Sequence, residues 1–288
     1  MTTNTNAAII AAADAVVHAH ADALEPLTAI GRRTVTAPPT VEAGLTAALH
    51  LIAARPALDH TVTELLRELI AAGISSTKLA RLMSVRHSTL TARLDAPAPA
   101  APAVPELHLG MFKRKDKVSI RAARESLITA ATALGRTYAS ALRPISTVSQ
   151  GAVPEAAVSD AALEAVLHLH RSRQQLDGAL DPILACLVLG GVRRMSVAEA
   201  LDVHPNTLQR RLMGQPLAHA RHADLVDEGE GKWSVTPAEV GRYKPTEEPD
   251  PALVQAAVDD AISGIQETAP NVRVREDSAT VPQSPSQF

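Results

Sequence analysis

The decapeptide VRHSTLTARL begins at Val85, and VHPNTLQRRL begins at Val203. The two belong to a longer match. Displacing the chain by 118 residues aligns Ile10–Leu94 with Ile128–Leu212 without a gap, with 27 identities over 85 positions. Alanine inflates that figure, so the other matches carry the weight. Leu24 and Pro26 meet Leu142 and Pro144, Leu58-Asp59 meets Leu176-Asp177, and Gly73 meets Gly191. Val85, Thr89, Leu90, Arg93 and Leu94 meet Val203, Thr207, Leu208, Arg211 and Leu212. A register held over so long a span marks an internal duplication, so two similar units must be built from one chain.

Past the match the spacing changes by three. Copy one runs through the stiff Pro/Ala segment DAPAPAAPAVPEL into MFKRKDKVSI, and copy two through MGQPLAHARHADLV into DEGEGKWSVT. Lys117 and Ser119 then meet Lys232 and Ser234, and each copy reads as ending in a β-hairpin. The expected boundaries are residues 1–120 for the first repeat and 121–245 for the second. A C-terminal helix follows over 246–268, and a disordered tail over 269–288 has the Pro, Ser and charge content of such segments.

With 288 residues there is room for two domains, and 46% apolar content allows a substantial core. Alanine, the best helix former, supplies much of that share, and continuous β-rich runs are scarce, so the class is mainly α. A single cysteine, Cys186, excludes an internal disulfide and reads as a buried thiol inside ILACLVLGG. The opening MTTNTNAAIIAAADAVVHAH lacks a basic stretch, and Asp14 with two histidines interrupts its apolar run. It reads as neither signal peptide nor membrane span, which points to a cytoplasmic protein with no membrane partner.

Net charge is −3, but its distribution is uneven. Ser75–Arg124 holds ten Lys and Arg against three Asp and Glu, whereas Arg193–Arg242 holds seven of each. The electrostatic footprint for a polyanion therefore falls mainly in the first half.

Within each copy, STKLARLMSVRHSTLTARL and MSVAEALDVHPNTLQRRL read as helix, turn, helix. Ser76 and Ser196 are the expected N-caps. Ala80 and Ala198 sit where the two helices cross, Met83 and Leu201 face inward, and Val85 and Val203 fill the turn. Leu90/Leu94 and Leu208/Leu212 pin the second helix at i,i+4. Pro205 suits a first helical position, and Gly73 and Gly191 suit helix ends. The turn carries Ser84 or Asp202.

This pattern resembles the helix-turn-helix, and with the hairpin it is similar to the winged form of MarR-like regulators, over about 50 residues per copy. The resemblance departs at the turn, where glycine is usual. It implies two duplicated winged helix-turn-helix domains, each with extra N-terminal helices and a small β-hairpin wing, and a second helix that enters the major groove of double-stranded DNA. With the leucines inward, copy one presents Ser88, Thr91 and Ala92, preceded by Arg86 and His87. Copy two presents Asn206, Gln209 and Arg210, preceded by His204. Asn and Gln pair in two-pronged fashion with adenine, and Arg with guanine. Thr89/Thr207 and Arg93/Arg211 recur in both copies and suit phosphate contacts, which position without specifying. Lys113, Arg114, Lys115 and Lys117 form a basic first wing, whereas Asp227, Glu228 and Glu230 make the second wing acidic. That acidity leaves two readings of copy two: a DNA contact, or a protein-binding or structural duplicate.

Other chemistry is poorly supported. The H-x-H pairs at His18/His20 and His168/His170 project about 200° apart on a helix and chelate poorly, so no metal or other cofactor is expected. No phosphate-binding glycine loop or nucleophile elbow is present, and an enzyme is not expected. The expected function is site-specific DNA binding for transcriptional regulation, by repression through occupancy of an asymmetric bipartite site. One chain could fill that site as a monomer, with a homodimer left open. The alternatives are a plasmid or phage replication or partition factor on repeated origin sites, and a protein–protein adaptor.

Overall fold

Ile9, Ala13, Val16, His20, Ala23, Leu24, Leu27 and Ile30 recur at helical spacing, and all are buried. The residues 118 positions later are Leu127, Ala131, Leu134, Tyr138, Ala141, Leu142, Ile145 and Val148, and these are buried too. Such a stripe makes each segment a helix with one face committed to a core: α1 (Thr2–Gly31) and α5 (Lys117–Ser149). Helix α1 is also long and apolar enough to cross a membrane, and here its apolar stripe is spent on α2 and α5. In this computed structural model the described residues are 2–101, 103–219 and 225–236, all within one unit spanning Met1–Ala238. The expected helix over 246–268 and tail over 269–288 lie outside the described residues.

The rest of each copy follows the same offset. In copy one, α2 (Val41–Ala71) is a single helix opened by Thr40, whose hydroxyl accepts from the Ala43 amide. Its counterpart in copy two is divided into α6 (Val158–Ala179) and α7 (Asp181–Leu189). The divider is Pro182, which has no amide hydrogen and sits in the first turn of α7, where none is needed. Copy one has Glu64 at that position and runs through. The short pairs α3 (Ser76–Leu82) and α4 (His87–Asp95) match α8 (Arg194–Ala200) and α9 (Pro205–Met213) residue for residue. A four-residue turn of helix, α10 (Pro216–His219), follows α9.

Backbone turns repeat as well. Gly73 and Gly191 adopt φ of 101° and 112°, and the next amides, of Ile74 and Val192, close back on the Leu69 and Leu187 carbonyls at 3.1 and 2.9 Å. These are glycine-terminated helix ends, as the sequence indicated. The turns between the short helices hold Ser84 and Asp202 at φ of 56° and 51°, and Val85 and Val203 donate to Ala80 and Ala198, both at 3.0 Å. The left-handed turn therefore forms without glycine, in copy one as well as copy two.

The two copies meet about a pseudo-twofold axis. Arg55 lies 3.1 Å from Asp177, and its counterpart Arg173 lies 2.8 Å from Asp59, the counterpart of Asp177. A contact accompanied by its mirror image is what an isologous, twofold interface requires. Helices α1 and α5 cross the axis antiparallel: the Thr132 hydroxyl donates to the Gly31 carbonyl at 3.1 Å, while Gly135 faces Thr28. The rings of His20 and Tyr138, themselves counterparts, face each other across the axis at 6.3 Å.

Two expectations are corrected. The caps are Ser75, which accepts from Lys78, and Arg193, which makes no side-chain cap. Ser76 and Ser196 lie inside their helices. The first wing is not a hairpin. Leu109–Met111 forms a 3-10 turn, and Phe112 makes a bridge with Val192 of copy two. Residues 113–116 are irregular, and Lys117 begins α5. Copy two does form the antiparallel hairpin of β1 (Leu225–Gly229) and β2 (Lys232–Val235), with Asp227 opposite Trp233. Glu230 and Gly231, both at positive φ, make its two-residue turn. The difference lies in the anchors. Trp233 donates to Glu125 at 2.8 Å, and Arg121 stacks over the indole and pairs with both Glu125 and Asp227. Copy one has Thr3 and Ala7 where copy two has Arg121 and Glu125.

Because both copies bury their stripes in one core, urea should unfold the described unit in a single transition. Leu134→Ala, at a site 1% exposed, should lower its stability by about 2–5 kcal/mol. Separate transitions for the two copies, followed by tryptophan fluorescence and circular dichroism, would contradict a shared core.

Candidate nucleic-acid interface

Helices α4 and α9 are each held by two kinds of contact. Leu90, Leu208 and Leu212 are at most 1% exposed and drive the inner face into the core. An arginine then fastens the helix from the side. Arg93 donates to the Thr63 hydroxyl at 2.8 Å and to the Asp59 carbonyl at 3.1 Å, with the Asp59 carboxylate 3.9 Å away. Arg211 donates to the Asp177 carbonyl at 2.9 Å and to the Asp181 carboxylate at 2.5 Å. These are equivalent positions making equivalent bonds. Both arginines were expected to meet phosphate, but their guanidiniums are engaged inside the protein. Burial also lowers the Arg93 pKa, against the attraction of Asp59 and with the help of Arg173. A side chain already committed to internal acceptors has little left to offer a ligand.

The expected reading residues stand elsewhere. Asn206, Thr207, Gln209 and Arg210 are exposed, and their side chains make no hydrogen bond among the described residues. His204 caps α9, its Nδ1 accepting from the Asn206 amide at 3.2 Å. In copy one, Arg86 is the exposed N-cap of α4, and Ser88 and Thr89 are exposed. His87 bonds Ser76 at 3.0 Å, joining the two short helices. Thr91 is half-buried, and its hydroxyl donates to the His87 carbonyl. Copy one thus offers small hydroxyls beside the Arg86 guanidinium, and copy two offers longer amide and guanidinium groups on the helix itself.

Without a first wing, the basic segment lies beside copy two. The Lys113 amide donates to the Gly191 carbonyl at 2.8 Å, and the Arg193 amide donates to the Met111 carbonyl at 2.8 Å. Lys113, Arg114 and Lys117 are exposed. Lys115 is half-buried, and its pKa is lowered first by burial and then by Lys113, with Asp116 opposing and Arg194 adding to the shift. The positive charge of residues 113–117 is therefore gathered at the start of α8, together with Arg193 and Arg194. On the copy-two hairpin, expected as the second wing, Arg121 takes up Asp227 at 3.0 Å, while Glu228 and Glu230 remain exposed.

Other candidates are inert by the same standards. Cys186 is 2% exposed, and burial raises its thiol pKa to about 12. Among the described residues, no group of three or more His, Cys, Asp or Glu is placed to hold a metal ion.

Sequence reading missed one group. His20, Arg55, Asp59, Tyr138, His170, Arg173 and Asp177 line a cavity of about 190 Å³ between the copies. The available signal was Arg-x-x-x-Asp at 55/59 repeated at 173/177, an i,i+4 pair that would ordinarily be read as closing on itself. His20 donates from Nδ1 to the Val16 carbonyl at 2.8 Å. Its pKa is lowered by burial, against that hydrogen bond and the charge of Asp59.

Two outcomes follow. Arg211→Ala removes charge-assisted bonds to partly buried acceptors and should destabilise the fold by about 1.5–3 kcal/mol in urea unfolding. Arg210→Ala should leave stability within about 0.5 kcal/mol. Because burial lowers the His20 pKa in the folded state, the unfolded chain binds its proton more tightly. Stability should therefore fall as pH drops below the ordinary imidazole value of 6.5 and level off once the lowered folded value is passed. His20→Leu should flatten that part of the profile of Tm against pH, and an unchanged difference between the two proteins would remove His20 as its source.

No protein-family model, no curated protein and no solved structure matches this chain.

Proposed function

We propose that the protein binds double-stranded DNA site-specifically through two helix-turn-helix units in one chain, the second of them winged. On this reading α4 and α9 are the recognition helices, and the protein regulates transcription by occupying its site. The observation that carries the reading is the pairing of a left-handed turn with an outward helix face in both copies. In copy two that face presents Asn206, Gln209 and Arg210 free of internal partners, the residue types that pair with adenine and guanine edges. The basic cluster at the start of α8 supports the same reading, because phosphate contacts position a protein on the duplex without specifying sequence.

The pseudo-twofold axis gives the proposal a geometry. Helix-turn-helix dimers place two recognition helices on half-sites about one DNA turn apart. Here duplication supplies both helices, and the copies differ at their outward residues. The target is then two unlike half-sites at a fixed spacing, filled by one chain.

Selection from a randomised duplex library, followed by anisotropy titration over a range of salt, tests this. Lys113→Ala/Arg114→Ala should flatten the slope of log K against log salt by about 0.9 for each phosphate that is no longer neutralised, equally for all duplexes. Arg210→Ala should cost about 1–3 kcal/mol of discrimination at one base pair. No enrichment of any sequence, with binding indifferent to salt, would refute the reading. A selected perfect palindrome bound by two chains would refute the one-chain geometry.

A further inference from the structure

Leu109 is 93% exposed, further out than any other large apolar side chain among the described residues. A lone exposed leucine is ordinary on a protein surface, but this one is held out by its backbone. In the 3-10 turn Leu109–Met111, the Met111 amide donates to the His108 carbonyl at 2.9 Å and the Phe112 amide to the Leu109 carbonyl at 3.1 Å. At three residues per turn, Leu109 and Met111 project about 120° apart, and Met111 is the one driven inward, at 6% exposure. The residues that follow are tied to copy two. Phe112 bridges Val192, the Lys113 amide donates to the Gly191 carbonyl, and the Arg193 amide donates to the Met111 carbonyl. Leu109 therefore stands on an anchored tip, and Gly110 beside it adds no side chain.

The surroundings of that tip are cationic. Leu109 shares a groove of about 470 Å³ with Lys113, Arg114 and Lys115, and Arg193 donates to the Phe112 carbonyl from the start of α8. Between residues 109 and 117 stand four cations and one carboxylate, Asp116. Asp116 is spent on the Ser119 amide and hydroxyl, at 2.8 and 2.7 Å. The groove itself is lined by one carboxylate, Glu42. An apolar tip flanked by cations suits a surface that is anionic outside and apolar within. An anionic bilayer holds a protein through a broad apolar face, and here the apolar contribution is a single leucine on a turn. A duplex needs no more than that, because one such side chain, wedged between base pairs from the minor groove, unstacks a step and kinks the helix. At about 6 Å wide, the minor groove is too narrow for a helix but admits a thin tip. It also lies one phosphate strand away from the major groove assigned to α9.

We propose that Leu109 is a wedge that enters the minor groove beside the copy-two half-site and opens one base step, while Lys113, Arg114, Lys117 and Arg193 hold the flanking phosphates. The inference rests on the DNA reading above and adds to it a deformation of the target. Opening is easiest at pyrimidine–purine steps such as TA and CA. The site should therefore carry such a step at a fixed distance from the bases read by α9, at a position that no hydrogen bond reads.

The test uses the full chain and the duplex most enriched by the selection above. One form of it is end-labelled for energy transfer, and others carry 2-aminopurine, whose fluorescence rises on unstacking, at each step in turn. The protein should kink the duplex by about 20–90° and brighten 2-aminopurine at the wedged step. Leu109→Ala removes a side chain that the fold does not bury, so Tm should be unchanged while both signals are lost. Leu109→Met keeps an apolar wedge and should retain them. Lys113→Ala/Arg114→Ala should weaken binding yet leave both signals in place once the duplex is saturated. A duplex bound straight and fully stacked, or signals unchanged in the Leu109→Ala protein, overturns the wedge and leaves the DNA reading standing. If the selection enriches no duplex, the DNA reading falls and the wedge with it. Vesicles of phosphatidylserine and phosphatidylcholine supply the other arm. Sedimentation with them that Leu109→Ala abolishes, with both duplex signals unaffected by the substitution, overturns the wedge and assigns the tip to a lipid surface.

Discussion

The antiparallel crossing of α1 and α5 is the contact on which the other elements depend. Each helix carries the same buried stripe, and each must bury it on both its own copy's second helix and the other copy's first. A single copy would leave that second surface in water, at roughly 25 cal/mol for each Å² of apolar area. The crossing also sets the axis, and the axis dictates the remainder. Ion pairs form reciprocally, the two short helix pairs take equivalent positions, and the equivalent residues His20 and Tyr138 face each other.

Departures from the symmetry fall where neighbours of the repeated core differ. Copy two keeps a hairpin because Arg121, Glu125 and Trp233 close a network around it. Copy one ends in proline-rich chain, which cannot supply ladder donors, and its basic segment instead pairs with Gly191 and Val192 of copy two. The positive charge that the sequence assigns to copy one is thereby delivered to copy two. In the copy-two hairpin, Asp227 is taken by Arg121.

Arginine shows how far residue type alone can be read. Arg93, Arg210 and Arg211 all lie on the short second helices. Arg93 and Arg211 recur at the repeat distance, which suited a shared role at phosphates. Recurrence had another source: each fastens its helix to the equivalent aspartate carbonyl of its own copy, Asp59 or Asp177, a structural need common to both. Arg210 does not recur, and it is the one left exposed with no internal partner.

Sequence was sufficient for the repeat, the helical class, the glycine-terminated helix ends, Pro205 as a helix start, the leucines of α4 and α9 and the burial of Cys186. The repeat depends on a register of matching residues, and the others on spacing within a few residues or on the preferences of single residues, all of which the sequence states directly. Tertiary structure alone decided that the copies share one core, that the first wing does not form, that Arg93 and Arg211 turn inward, and that a polar cavity lies on the axis. Each of those depends on residues about 30 to 120 positions apart. Arg55 and Asp59, one helical turn apart, look like a pair closed on itself until folding supplies each with a partner from the other copy.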